Sequence, residues 1–233
     1  IITGNTEKFL RFWSEVSICN TLIGSNCFIE NKYWISYTKG GEQRKWFGNN
    51  LHVINWKNKG QDLVRSRNTN SDFYLKQCIT WTLITSAGFT ARFCDNGFLW
   101  DVSGSIGFPK NEKEMNLILS LLCSKISSYS LKILNPTINT NIENIESIPI
   151  PQLDDDKIFK ISKISISCIS ISKIDWDAHE TSWDFQQNEL IKQQTESIKA
   201  AFESYKKEWL DKFYELHRNE EELNRQFIEI YGL

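Results

Sequence analysis

Lys32-Tyr33-Trp34-Ile35-Ser36-Tyr37-Thr38-Lys39-Gly40-Gly41 is the stretch that decides the fold class of this chain. Its aromatic and β-branched residues from Tyr33 to Tyr37 read as a strand, and Lys39-Gly40-Gly41 ends it in a turn. The same signature recurs downstream. Gly48-Asn49-Asn50 is a turn, Val53-Ile54-Asn55-Trp56 a second strand, and Lys57-Asn58-Lys59-Gly60 the turn that closes it. Ile79-Thr80-Trp81-Thr82-Leu83-Ile84 reads as a third strand. The segments Thr90 to Cys94 and Gly97 to Val102 predict a hairpin across Asp95-Asn96-Gly97, because Asn-Gly favours a tight turn.

Helical spacing flanks this β region. Phe9, Phe12, Trp13 and Val16 predict a short amphipathic helix from Thr6 to Ser17, capped by Thr6. Leu117, Leu121, Leu122 and Ile126 mark one helix from Asn116 to Tyr129. Ile145 to Pro151 reads as a short extended segment. From Ile158 to Ile174 the chain is low-complexity Ile/Ser/Lys, with isoleucines at alternating steps of three and two. That spacing decides nothing, and we expect helix early, where Asp154 to Asp156 suit a helix start, and extended chain late. Phe185 to Arg218 carries two heptad-spaced stripes and reads as a long helix. Asn219 followed by Glu222 predicts a restart into a second helix that Gly232 ends. The expected class is therefore α+β: a mixed β-sheet domain over residues 1–150, then an α-helical C-terminal region over 151–233 with a long helix.

The 233 residues are 40% hydrophobic and 13% aromatic, a globular rather than a disordered composition. No apolar run approaches the ~20 residues that a membrane helix needs. The start, Ile1-Ile2-Thr3-Gly4, lacks an initiator Met and a basic leader, which predicts a cytoplasmic segment of a longer protein. Six cysteines show no CxxC pair and lie far in sequence from His52, His179 and His217, so zinc-ligand spacing is lacking.

Charge is unevenly spread. Between Lys32 and Arg92 ten cations face three anions, an excess of seven, while the whole chain sums to −2. The remainder therefore sums to −9. A basic lobe on an acidic body predicts a polyanionic partner on one side, with duplex DNA foremost, because phosphate neutralisation releases counterions. Arg44, Lys45 and Trp46 follow the Gly40-Gly41 turn; Trp46 either stacks on a base or anchors the loop. Lys39, Lys57, Lys59, Arg65 and Arg67 complete the expected DNA-binding set. Against this stands the plain alternative that charge runs are usually solvated faces. Gly104-Ser105-Ile106-Gly107 lacks the Lys-Ser/Thr of a phosphate loop and reads as a turn. No nucleophile signature is recognisable.

Several runs carry a family likeness in order along the chain. They include Thr3-Gly4-Asn5, Phe9 to Trp13, Tyr37 to Asn49, Ile79-Thr80-Trp81, Asp101 to Ser105, Leu134 to Thr137, Ser172 to Asp177, Glu180 to Phe185, and Asn219 to Leu233. Together they resemble the C-terminal part of the PglX family, the adenine-specific DNA methyltransferases of BREX phage-defence systems. That family binds S-adenosylmethionine through a Phe-x-Gly-x-Gly loop and methylates adenine N6 with an Asn-Pro-Pro-Tyr motif. Neither is present here, since Asn135-Pro136-Thr137 lacks the second proline and the aromatic. The resemblance thus implies a target-recognition region that docks on double-stranded DNA while a neighbouring domain flips the adenine. It implies S-adenosylmethionine for the parent enzyme and no cofactor or catalytic residue in this chain. A second expectation is a helical module, from Phe185 onward, that binds other phage-defence proteins.

Overall fold

The computed structural model describes residues 5–63, 70–135 and 137–233. Arg65 and Arg67 lie outside the described residues. The architecture is α+β, with two small sheets, a layer of helices and one long C-terminal helix.

The strands are β1 (Leu10–Phe12), β2 (Thr21–Leu22), β3 (Trp34–Thr38), β4 (His52–Asn55), β5 (Cys78–Thr82), β6 (Ala91–Cys94), β7 (Phe98–Trp100) and β8 (Gly104–Gly107). The first sheet has the order β1-β4-β3-β2, with β7 also pairing β3 in parallel; the second has the order β6-β5-β8. Strand β3 is central and nearly all buried, which is why its residues read as a continuous aromatic and β-branched run rather than an alternation. The helices are α1 (Thr6–Phe9), α2 (Glu112–Cys123), α3 (Lys125–Leu134), α4 (Ile142–Glu146), α5 (Asp155–Asp177), α6 (Glu189–Lys192) and α7 (Ile198–Tyr231).

Local signals were outweighed in four places, three of them by strand pairing. The helix expected over Thr6 to Ser17 stops after α1. Leu10 to Phe12 pair antiparallel with β4, burying Phe9 and Leu10 and stacking Phe12 on His52 with ring centroids 5.0 Å apart. The sequence Asp95-Asn96-Gly97 makes no hairpin: β6 pairs β5 in one sheet and β7 pairs β3 in the other. Leu75 captures the turn, since Gly97 N donates to Leu75 O at 2.9 Å and Leu75 N donates to Phe98 O at 3.1 Å. Gly97 has φ 96, and a Cβ there would lie 2.8 Å from Gly24 N. Gly104 to Gly107 is a strand against β5, not a turn. The segment Ile142 to Glu146 is helical before the chain extends toward Pro151.

The helices depart from expectation where a serine or asparagine caps or bonds. Ser124 is extended and accepts from the Ser127 amide, so the single helix expected over Asn116 to Tyr129 becomes α2 and α3 at 68°. The Ile/Ser/Lys tract is helical to its end in α5, with Asp154 accepting from Lys157 N. Its buried face includes Ile161, Ser165, Cys168 and Ser172, at helical steps of four and three. Ser197 caps α7, so the long helix begins there and not at Phe185. No restart occurs at Asn219, whose amide donates to Ser167 Oγ at 3.0 Å instead. Gly232, left-handed at φ 70, ends α7 as its spacing implied.

One hydrophobic cluster joins Trp46, Ile79 and Ala91 of the β region to Leu119 and Leu121 of α2, Ile161 and Cys168 of α5, and Leu223 and Phe227 of α7. A second cluster, with Ile35, Tyr37, Ile54, Trp56 and Leu99, lies around the first sheet. The cationic loop between β3 and β4 spans the gap between sheet and helices, which fixes what its charges can meet.

Candidate nucleic-acid interface

The loop leaves β3 through Gly40 (φ 82) and Gly41 (φ 129), conformations that side chains rarely adopt. It then joins the second sheet: Trp46 N donates to Ala91 O at 3.0 Å, and Phe93 N donates to Trp46 O at 2.8 Å. The indole of Trp46 is only 1% exposed. Its N–H donates to Glu220 Oε1 at 2.8 Å, and Lys45 Nζ donates to the other oxygen of Glu220 at 2.9 Å. Arg44 pairs with Asp175 and lies 5.0 Å over the Trp176 ring. Gly48 makes room for this stack, since a Cβ there would come 2.9 Å from both Arg44 Nε and Trp176 Cε3.

The arrangement is a clasp between the β region and helices α5 and α7. Each ion pair is partly exposed and contributes about 0–1 kcal/mol. The bond from the buried indole to a carboxylate is worth about 1.5–3 kcal/mol. Trp46 is thus the anchor of the loop, with no ring face left for a base. Arg44 and Lys45, expected to meet phosphate or guanine, meet Asp175 and Glu220. A cleft of about 550 Å³ opens beside the clasp, lined by Arg44, Lys45, Asp175, Trp209 and Phe213 among others.

The remaining expected contacts do not converge. In the β3–β4 ladder Tyr37 lies opposite His52 and Trp34 opposite Asn55. Lys39 lies just past the first end, Lys57 and Lys59 just past the other, so a strand length of ~13 Å or more separates them. Lys39 stands by His52, whose pKa is lowered by burial and then by this charge. Lys57 is exposed, with Nζ 6.0 Å over the Tyr33 ring. Asn58 and Lys59 are left-handed (φ 54 for both), as is Gly60 (φ 73), which folds the turn tightly against Trp56. Among the described residues neither Lys57 nor Lys59 has a carboxylate partner.

Arg92 belongs to the cation count but not to the surface. It is 1% exposed, burial pushes its pKa down to about 10, and its Nε and Nη1 have no hydrogen-bond partner among the described residues. Asp175 and Glu220 are the carboxylates facing this loop that sequence reasoning missed. They lie 131 and 175 residues beyond their cations, and no local pattern links such positions.

Gly104 of β8 offers no cofactor cradle, because a Cβ there would already meet Gly40 N and Thr38 O at 3.0 Å. No single helix among the described residues is long and apolar enough to cross a membrane.

No protein-family model matches the chain. It is 36% identical, over 248 aligned positions and 99% of its length, to the adenine-specific methyltransferase PglX of Lacticaseibacillus casei (strain Zhang). The chain is a PglX-like segment. It spans only 20% of that relative. A second relative, the adenine-specific methyltransferase BrxX of Escherichia coli O9:H4 (strain HS), is 35% identical over 77% of the chain and 14% of its own length. In this PglX-like segment the run Tyr37 to Asn49 builds the clasp, and the runs Ser172 to Asp177 and Asn219 to Leu233 supply its acceptors, Asp175 and Glu220.

Proposed function

We propose that this chain is a DNA target-recognition segment of a site-specific adenine-N6 methyltransferase in phage defence. The observation that carries this is the similarity to PglX along 99% of the chain, which spans only 20% of that relative. The parent enzyme uses S-adenosylmethionine and methylates double-stranded DNA; this segment docks the duplex and the chemistry happens elsewhere. The clasp redirects the choice of contacts. Lys57 and Lys59, exposed and without a carboxylate partner among the described residues, meet the phosphates, and Arg65 and Arg67 follow them in sequence. Lys39 touches the duplex only at the far end of the ladder. Arg44, Lys45 and Trp46 hold the β region on the helices that support it.

Duplex binding by the purified chain, titrated against salt, tests this. Each phosphate contact contributes a slope of about 0.9 in log K against log salt. Replacing Lys57 and Lys59 by Ala lowers that slope by nearly two, whereas Arg44→Ala leaves the slope in place and lowers stability. An unchanged slope in the lysine variant defeats the proposed contact.

A second proposal is supported by the exposed apolar residues of α7: that the helical region is an interaction module.

A further inference from the structure

The first turns of α7 are poorly covered. Phe202, Leu210 and Phe213 are 49%, 43% and 60% exposed. Lys199, Phe202, Lys206, Leu210, Phe213 and His217 follow one another at steps of three and four, so they share one helix face. Helices α5 and α6 pack on another side of α7, and α3 meets it only beyond this stretch, where Lys125 N donates to Asn224 Oδ1 at 2.8 Å. Gln193, just past α6, bonds Ser204 and Glu208, and Ser167 of α5 bonds Glu215 and Asn219, all off this face. Among the described residues Lys199 and Lys206 have no carboxylate partner. Among the described residues Glu221, one turn past His217, pairs only with that ring at 3.4 Å, and both are exposed.

We propose that this face is a two-fold interface between two copies of the chain, with α7 antiparallel to its symmetry mate and Leu210 on the axis. Charge complementarity selects the occupant and the direction. Lys199 precedes Leu210 by as many residues as Glu221 follows it, so antiparallel pairing sets each Lys199 opposite the other copy's Glu221. The same count sets Lys206 opposite Tyr214, a cation over an aromatic ring. Phe202 and Phe213 flank the axis and are covered. A parallel pair sets Lys199 on Lys199 and Lys206 on Lys206, which is repulsive. A two-fold interface uses one patch twice, and this patch is complementary to itself. The inference gives the interaction module a partner and does not depend on the DNA proposal.

Sedimentation of the 233-residue chain over a range of concentrations reads the association directly, in the absence of DNA. A monomer–dimer equilibrium is expected. Leu210→Glu abolishes it while circular dichroism stays helical, as an exposed position allows. Lys199→Glu and Glu221→Lys each weaken the dimer about tenfold, and the two together restore it, because the opposed charges are exchanged. A chain that sediments as a monomer at every concentration overturns the proposal and leaves the face to a different partner. A dimer that survives Leu210→Glu, or a double exchange that fails to restore association, overturns it equally.

Discussion

The indole N–H of Trp46 donates to Glu220 across 174 residues of sequence, at 2.8 Å, and the same carboxylate accepts from Lys45. One acidic side chain on the last helix thus satisfies a buried donor and neutralises a neighbouring cation. A loop that looks in sequence like a free basic hand is held closed by this contact.

Glu220→Ala leaves the buried indole without an acceptor and is expected to cost about 2 kcal/mol. Glu220→Gln keeps an oxygen for the indole but loses the charge and the oxygen that accepts from Lys45, costing about 1 kcal/mol. Urea unfolding checks both, with a lower midpoint and an unchanged m-value.

Gly97→Ala combines a φ of 96 with backbone amides 2.8 and 2.9 Å from the new Cβ. A loss of at least ~2 kcal/mol is expected. Gly88→Ala is the control, since its φ of 95 is matched but the nearest contact is Gln43 Nε2 at 3.7 Å. The difference in thermal midpoint between the two variants isolates the clash.

Arg92→Met removes a buried guanidinium that has no carboxylate partner among the described residues. The variant is expected to match the parent or exceed it by about 1 kcal/mol or more. Chemical denaturation measures this; a large loss shows that the charge is compensated within the fold.

His52 gives a pH dependence. Burial, then Lys39, lower its pKa from the ordinary 6.5, so the unfolded chain binds the proton more readily than the folded one. The stability this group contributes is complete above pH 6.5 and is lost as pH falls through the lowered folded value. His52→Phe keeps a ring against Phe12 and flattens the fall. Unfolding free energy against pH, for both proteins, is the measurement.

The strands β3, β4 and β5 were legible because packing on both faces selects aromatic and β-branched side chains, as in Trp34-Ile35-Ser36-Tyr37. The Gly232 stop was legible because a left-handed cap is a local demand. What stayed hidden was non-local. Nothing near Asp95-Asn96-Gly97 says that Leu75 will take the turn's hydrogen bonds. In α5 the buried positions Ser165, Cys168 and Ser172 are small, so isoleucine spacing misreports the face. The candidate interface was legible as a cation count and illegible as a surface. Arg44 and Lys45 are claimed by Asp175 and Glu220, Arg92 is inside, and Lys39 is a strand length from Lys57.

Helix α7 is rooted most deeply toward its C-terminal end: Leu223 and Phe227 are in the core, while Ile198 is 82% exposed. Amide protons along it therefore exchange with solvent deuterium on a gradient, fastest near Ser197 and slowest near Phe227. The helix behaves as a cantilever whose fixed end reports global unfolding and whose free end reports whatever seats upon it.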